Sequence, residues 1–138
     1  MKRYWLFITD EKNWKIIKRK KIYAVKENYL KKFNQVQNDD LAIIYVKAKK
    51  IGGIFMIKSK EKSTQILFKD KEYKYKFNLG EKIVGKDSLE MSSMLIQKLS
   101  IFKNIKNVNR WGSVLMGRAI IQIKKEDINY IHKLLKLM

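Results

Sequence analysis

The most consistent apolar pattern of the chain lies between Asp40 and Lys60. Leu41–Val46 (LAIIYV) is apolar at both alternating sets of positions, which predicts a strand covered on both faces rather than one with a wet side. Lys47–Lys50 reads as a basic turn, and Ile51–Ser59 as the returning arm of a hairpin at the centre of a sheet or small barrel. Gly52-Gly53 in that arm lacks Cβ atoms and so permits a bulge or a close backbone approach. Asp39-Asp40 reads as the polar turn that launches the first arm.

Around this hairpin the pattern alternates irregularly between the two periods. Tyr4–Ile8 predicts a strand, and Asp10 an N-cap for a helix over Glu11–Lys20 with Trp14 and Ile17 inward. Ile22–Lys26 predicts a short strand, and Asn28–Val36 one or two helical turns with Tyr29, Leu30 and Phe33 inward. Lys60–Asp70 reads as a loop carrying an apolar plug at Ile66-Leu67-Phe68. In Tyr73–Leu79 the rings and Leu79 alternate with Lys74, Lys76 and Asn78, predicting a half-buried strand with a basic outer face. Asp87 or Ser88 predicts the start of a helix running to about Leu99. Asn104–Arg110 reads as a polar loop, followed by strand material at Trp111–Met116 and Arg118–Ile123. Lys125–Met138 predicts an amphipathic helix burying Ile128, Ile131, Leu135 and Met138, with Ile123 and Ile128 spaced as a hydrophobic staple. Strands and helices without strict βαβ alternation imply an α+β class with a mixed, barrel-like sheet, in a single domain over residues 1–138.

Composition sharpens this picture in three ways. Hydrophobic residues make up 46% of the 138 positions, enough for an ordinary core. There is no cysteine, so disulfides and thiolate metal sites are excluded. Met1-Lys2-Arg3 leads directly into Tyr4–Ile8 without a cleavage signal, and no apolar run approaches the ~20 residues of a membrane span. The expectation is a cytoplasmic protein with no membrane partner; the pattern carries no signal of oligomeric state.

Charge is the strongest compositional signal: 32 Lys and Arg stand against 13 Asp and Glu, a formal +19. Only Arg3, Arg19, Arg110 and Arg118 are arginines. An AT-rich coding bias would supply the lysines, but it does not account for the scarcity of acids. A field of this sign attracts polyanions, so a nucleic acid, DNA or RNA, is the expected partner.

Motifs for chemistry are weak by comparison. Gly80-Glu81-Lys82-Ile83-Val84-Gly85-Lys86 spells G-x-x-x-x-G-K, yet the next residue is Asp87, where a phosphate cradle requires a Ser or Thr hydroxyl for magnesium. His132 is the only histidine and has no nucleophile or carboxylate near it in sequence. The acid pairs Asp10-Glu11, Asp39-Asp40 and Glu126-Asp127 all have capping or turn roles. No clustered ligands suggest a metal, no cofactor is implied, and catalysis is not expected. Aromatic residues set among bases say more. Trp14 lies among Lys12, Lys15 and Lys18, Tyr23 between Lys20-Lys21 and Lys26, and Trp111 follows Arg110. Such neighbourhoods suit unpaired bases that stack on rings while cations hold phosphate. Each of these rings could equally be core, as Trp5, Phe55 and Phe77 are expected to be.

The opening YWLFITDEKNWKIIKRKKIYAV, the hairpin DDLAIIYVKAKKIGGIFMIKS and the closing FKNIKNVNRWGSVLMGRAIIQIKKEDINYIHKLL together resemble the EVE domain, a PUA-like family related to YTH readers of methylated adenine. The resemblance spans nearly the whole chain and is nearest to short, stand-alone archaeal-type members. It implies a PUA-like mixed β-barrel flanked by helices, and a pocket that takes a single flipped, usually modified base of DNA or RNA. Carried onto this sequence, it implies base contacts at Thr9, Trp14, Tyr23, Phe68, Asn107 and Trp111, and phosphate contacts at Lys26 and Arg110. Tyr23-Ala24 stands where most members have Trp-Gly, so a smaller ring is offered for stacking. The function implied is a non-catalytic reader of a modified base. A general RNA-binding accessory domain without such selectivity, or a small nuclease, are the alternatives.

Overall fold

The computed structural model of the chain describes residues 2–47, 50–65, 67–68, 72–83, 89–90, 99 and 119–136. Strand β1 (Tyr4–Thr9) leads into helix α1 (Glu11–Lys20). The Asp10 carboxylate fixes the start of α1 by accepting the Asn13 N–H at 2.7 Å, a cap worth about 1 kcal/mol. The helix ends at Lys21, whose left-handed φ of 56° turns its N–H onto the Ile17 carbonyl. Strand β2 (Ile22–Val25) follows, then a 3-10 turn (Glu27–Tyr29) and the short helix α2 (Leu30–Gln35). The central hairpin is β3 (Leu41–Val46) and β4 (Lys50–Lys62). Strands β5 (Tyr75–Lys82), β6 (Leu89–Glu90) and β7 (Ile120–Ile123) and helix α3 (Lys125–Lys136) complete the described elements. No helix among the described residues is long and apolar enough to cross a membrane.

The strands form one mixed sheet in the order β2-β5-β4-β3-β1-β7, with β6 pairing β4. The β1–β3 pair is parallel and the other pairs are antiparallel. Although β2 and β1 lie four places apart in this order, Phe7 and Tyr23 stack with ring centroids 4.6 Å apart. The sheet is therefore curled into a half-closed barrel. Its inner face carries Trp5, Phe7, Ile44, Phe55 and Phe77, roofed by Trp14 and Ile17 of α1 and Phe33 of α2. Its outer face carries Leu6, Ile8, Ile43, Tyr45 and Ile54 beneath Ile128, Ile131 and Leu135 of α3. The two-sided burial expected of Leu41–Val46 follows from this: Ala42, Ile44 and Val46 point inward, Ile43 and Tyr45 outward.

Gly52 meets both expectations for the diglycine. The β3–β4 register slips there, pairing Ile44 with Gly53 and Tyr45 with Ile51. A Cβ on Gly52 would also lie 2.6 Å from Trp14 Cη2, so the α1 indole packs directly on bare backbone. Gly53 adopts a φ of 151°, a conformation open to glycine.

The structure corrects several sequence expectations. The loop expected from Lys60 begins later, because β4 runs on to Lys62 and its polar end is held by the ladder to β5. The strand expected over Tyr73–Leu79 runs instead from Tyr75 to Lys82, and Tyr73 precedes it. Its outer face is not uniformly wet: Lys76 is 4% exposed, and its ammonium donates to the Gln65 carbonyl. Gly80, Glu81 and Lys82 are strand residues, so no phosphate loop starts there. Leu89–Glu90, expected in a helix, is a strand against Lys50 and Ile51. The helix expected on to Leu99 and the strand at Trp111–Met116 otherwise fall almost wholly outside the described residues.

Asp40 does more than turn the chain. Its buried carboxylate accepts the Arg3 and Gln37 backbone N–H groups and the Trp5 indole N–H, each at 2.9 Å. It ties the entry of β1 to the turn before β3.

Candidate functional site

A cavity of about 210 Å³ opens where β1 gives way to α1 and β2 to the 3-10 turn. Ile8, Thr9, Asp10 and Asn13 come from the first junction, and Tyr23, Val25, Lys26, Asn28 and Tyr29 from the second. Lys47 of the central hairpin, Phe68 and Tyr73 of the β4–β5 connection and Ala119 before β7 close it. The site is thus assembled from five separate stretches of chain, and the curl of the sheet brings them together.

Hydrogen bonds on Ala119 set its deep end. The Ile8 N–H donates to the Ala119 carbonyl at 2.8 Å, and the Ala119 N–H donates to the Tyr29 hydroxyl at 2.8 Å. The Tyr23 hydroxyl lies 2.7 Å from the Ile8 carbonyl and 3.0 Å from that of Ala119, donating between them. Burial, with smaller contributions from the neighbouring Tyr29 and Tyr73 phenols, pushes the Tyr23 phenol well above 10.0, although the hydrogen bond to Ile8 opposes this. It stays a protonated donor at neutral pH.

The rim is aromatic and basic. Phe68 and Tyr73 meet edge to face at 5.1 Å. The Lys26 ammonium sits 5.1 Å over the Tyr73 ring and 3.8 Å from the Glu72 carboxylate. Tyr29 and Tyr73 are half-buried, whereas Tyr23 is 2% exposed with one face against Phe7. Thr9 and Asn13 supply a hydroxyl and an amide beside the Asp10 carboxylate.

Of the residues singled out in the sequence, Thr9, Tyr23, Lys26 and Phe68 therefore line one cavity. Trp14 does not line it: its indole is buried between Gly52 and Phe55. Asn107, Arg110 and Trp111 lie outside the described residues. Tyr29, Tyr73, Asn28 and Lys47 also line the cavity, at positions the sequence pattern does not mark as a site. Tyr73 carried the same signal as Tyr23, a ring set among lysines, but alternation assigned it to a strand interior. His132, the only histidine, is on the outer face.

A model of the EVE domain matches residues 3–134. A UPF0310 protein of Pyrococcus abyssi (strain GE5 / Orsay) is 31% identical over 146 aligned positions, covering 96% of this chain and 99% of its own length. A UPF0310 protein of Pyrococcus horikoshii is 28% identical over 148 positions, covering 96% and 98%. Among solved structures, the fold is similar to that of the Mmi1 YTH domain, with a TM-score of 0.70 at 16% identity over 99% of this chain and 89% of that one. It is also similar to the YTH domain of Zygosaccharomyces rouxii MRB1 protein in complex with N6-methyladenosine RNA, with a TM-score of 0.65 at 14% identity over 98% and 87%.

Proposed function

The chain belongs to the EVE domain family, and we propose that its cavity receives one base, modified and taken out of its stack, from DNA or RNA. The observation that carries this reading is the cavity of about 210 Å³, walled by the rings of Tyr29, Phe68 and Tyr73 and flanked by Lys26 and Lys47. It lies below the roughly 300–1,000 Å³ of sites that enclose a drug-sized ligand, a scale suited to a single planar base. The fold shared with YTH domains, one of them solved with N6-methyladenosine RNA, supports the same reading. So does the +19 charge, which favours capture of a polyanion.

In this proposal Tyr73 and Tyr29 are the stacking rings, and Thr9, Asn13 and Asn28 test the edge of the base. Tyr23 is the floor that fixes depth, its ring face already taken by Phe7. Lys26 must leave the Tyr73 face before a base can stack there. The exposed cation–π contact given up is worth about 0.5–1 kcal/mol and the surface ion pair about as much. The phosphate of the captured nucleotide then replaces Glu72 as its partner. Asn107 and Trp111 as base contacts, and Arg110 as a phosphate contact, enter on the family motif alone. In this account the residues lining the cavity bind and do no chemistry.

The test compares matched oligonucleotides with and without one modified base, bound to the wild type and to Tyr73→Ala. Losing a stacking ring should weaken the modified probe by about 1–3 kcal/mol and leave the unmodified one nearly unchanged. Equal losses on both probes, or a steep salt dependence with no preference among modifications, would instead identify a general RNA-binding domain.

A further inference from the structure

We propose that the outer face carries a second, independent site: a groove that docks an acidic, amphipathic protein segment. A cavity of about 240 Å³ lies between the first turns of α3 and the sheet. Tyr4, Leu41, Ile54 and Ile128 form its floor, and Ile83 a wall. The pairing of the strands extends this floor. Met56 lies opposite Leu41 in the ladder, and the Ile83 N–H donates to the Ile54 carbonyl at 2.9 Å. Met56 is 39% and Ile83 44% exposed, the two exposed large hydrophobic residues among those described. Ile83 lines the groove and Met56 stands beside Leu41 of its floor, so the two adjoin one margin of it.

The one charged side chain that lines the groove is basic, Lys2, although Glu126 and Asp127 stand in the first turn of α3 and Glu81 lies near Lys58. Lys2, His132 and Asn129 line it, with no carboxylate among its described lining residues. On α3, Lys125, Asn129, His132 and Lys136 follow at spacings of four, three and four and share a face. Lys58 continues the outer face of β4 beyond Met56 and is exposed. A partner must bring apolar anchors and negative charge together. The floor is aliphatic apart from Tyr4, so it offers little on which bases could stack. It does match a helix presenting anchors at every third or fourth position with acids between them.

The groove and the base cavity lie on opposite faces of the sheet, so both can be occupied at once. The probe is a fluorescein-labelled peptide with Leu or Phe at i, i+3, i+4 and i+7 and Glu elsewhere, with a reordered peptide of identical composition as control. Anisotropy should show the patterned peptide binding about tenfold more tightly, the effect of seating one buried anchor. Met56→Ser and Ile83→Ser should each abolish that preference while thermal melts stay unchanged. An unlabelled oligonucleotide should leave the peptide bound. Equal affinity for both peptides, indifference to either substitution, displacement by the oligonucleotide, or a dimer of this chain that Met56→Ser dissociates would each overturn the proposal.

Discussion

Replacing Tyr23 with Phe separates the two roles its ring could have. A stacking ring loses nothing essential when its hydroxyl goes, because Phe presents the same face. The structure makes the hydroxyl a clasp between two strand ends, 2.7 Å from the Ile8 carbonyl and 3.0 Å from that of Ala119. Ala119 keeps the Ile8 N–H at 2.8 Å after the substitution, so the loss falls mainly on Ile8. One buried hydrogen bond contributes about 0.5–1.5 kcal/mol net, and a carbonyl left without that donor adds to the cost. The Phe7 stack survives, which confines the change to the hydroxyl. We expect a loss of about 1–2 kcal/mol, or roughly 3–7 °C in Tm for a domain of this size. Urea titration and calorimetry would measure it. The pH dependence gives a second readout. The folded phenol is pushed above its ordinary 10.0 chiefly by burial, so its neutral form stabilises the native state fully below pH 10.0. As pH rises beyond that, the unfolded chain loses the proton while the native state retains it, and the stabilisation is lost. The advantage of wild type over Tyr23→Phe should therefore shrink above pH 10.0. A variant as stable as wild type, with an unchanged alkaline limb, would refute the clasp.

Two further perturbations probe the frame that holds the cavity. Gly52→Ala places a methyl 2.6 Å from Trp14 Cη2 and should cost about 1–3 kcal/mol by overpacking; an unchanged melting curve would mean that the indole does not rest on that backbone. Asp40→Ala strips the acceptor from the Arg3, Trp5 and Gln37 N–H groups and should cost about 2–4 kcal/mol, read by denaturant titration, with a loss under about 1 kcal/mol ruling out an anchoring role.

Local rules reached the elements whose partners lie nearby in sequence. Asp10 and the basic last turn marked α1 because caps and dipoles act within a few residues. The two-faced apolar run at Leu41–Val46 forced a strand covered on both sides. Alternation failed at Lys76, where a distant carbonyl, that of Gln65, receives the ammonium and makes burial tolerable. It also failed beyond Ser59, where β5 rather than apolarity keeps β4 extended. Asp40 looked like any turn acid, because its donors stand up to 37 positions away. Trp14 and Tyr23 shared one signal, a ring among lysines, and only packing distinguishes them. One indole fills the space over Gly52, and the other ring borders a cavity.

That distinction bears on how the cavity keeps its shape. A pocket built from loops alone would have to be ordered by its ligand, at a cost in affinity. Here the deep wall is shared with the core. Tyr23 stacks on Phe7 inside the barrel while its hydroxyl closes β1 onto Ala119, and Ala119 in turn donates to the Tyr29 hydroxyl at the cavity wall. The bonds that curl the sheet are thus the bonds that set the depth of the pocket and orient one of its rings. The outer wall differs: there Lys26 rests over Tyr73 beside Glu72, and contacts of this exposed kind are ones a ligand can exchange. Depth is fixed before binding, and adjustment is confined to the rim. On the proposed reading, selection among base substituents belongs to the floor and the polar edge at Thr9 and Asn13, whereas the lysines at the rim act on every nucleotide alike.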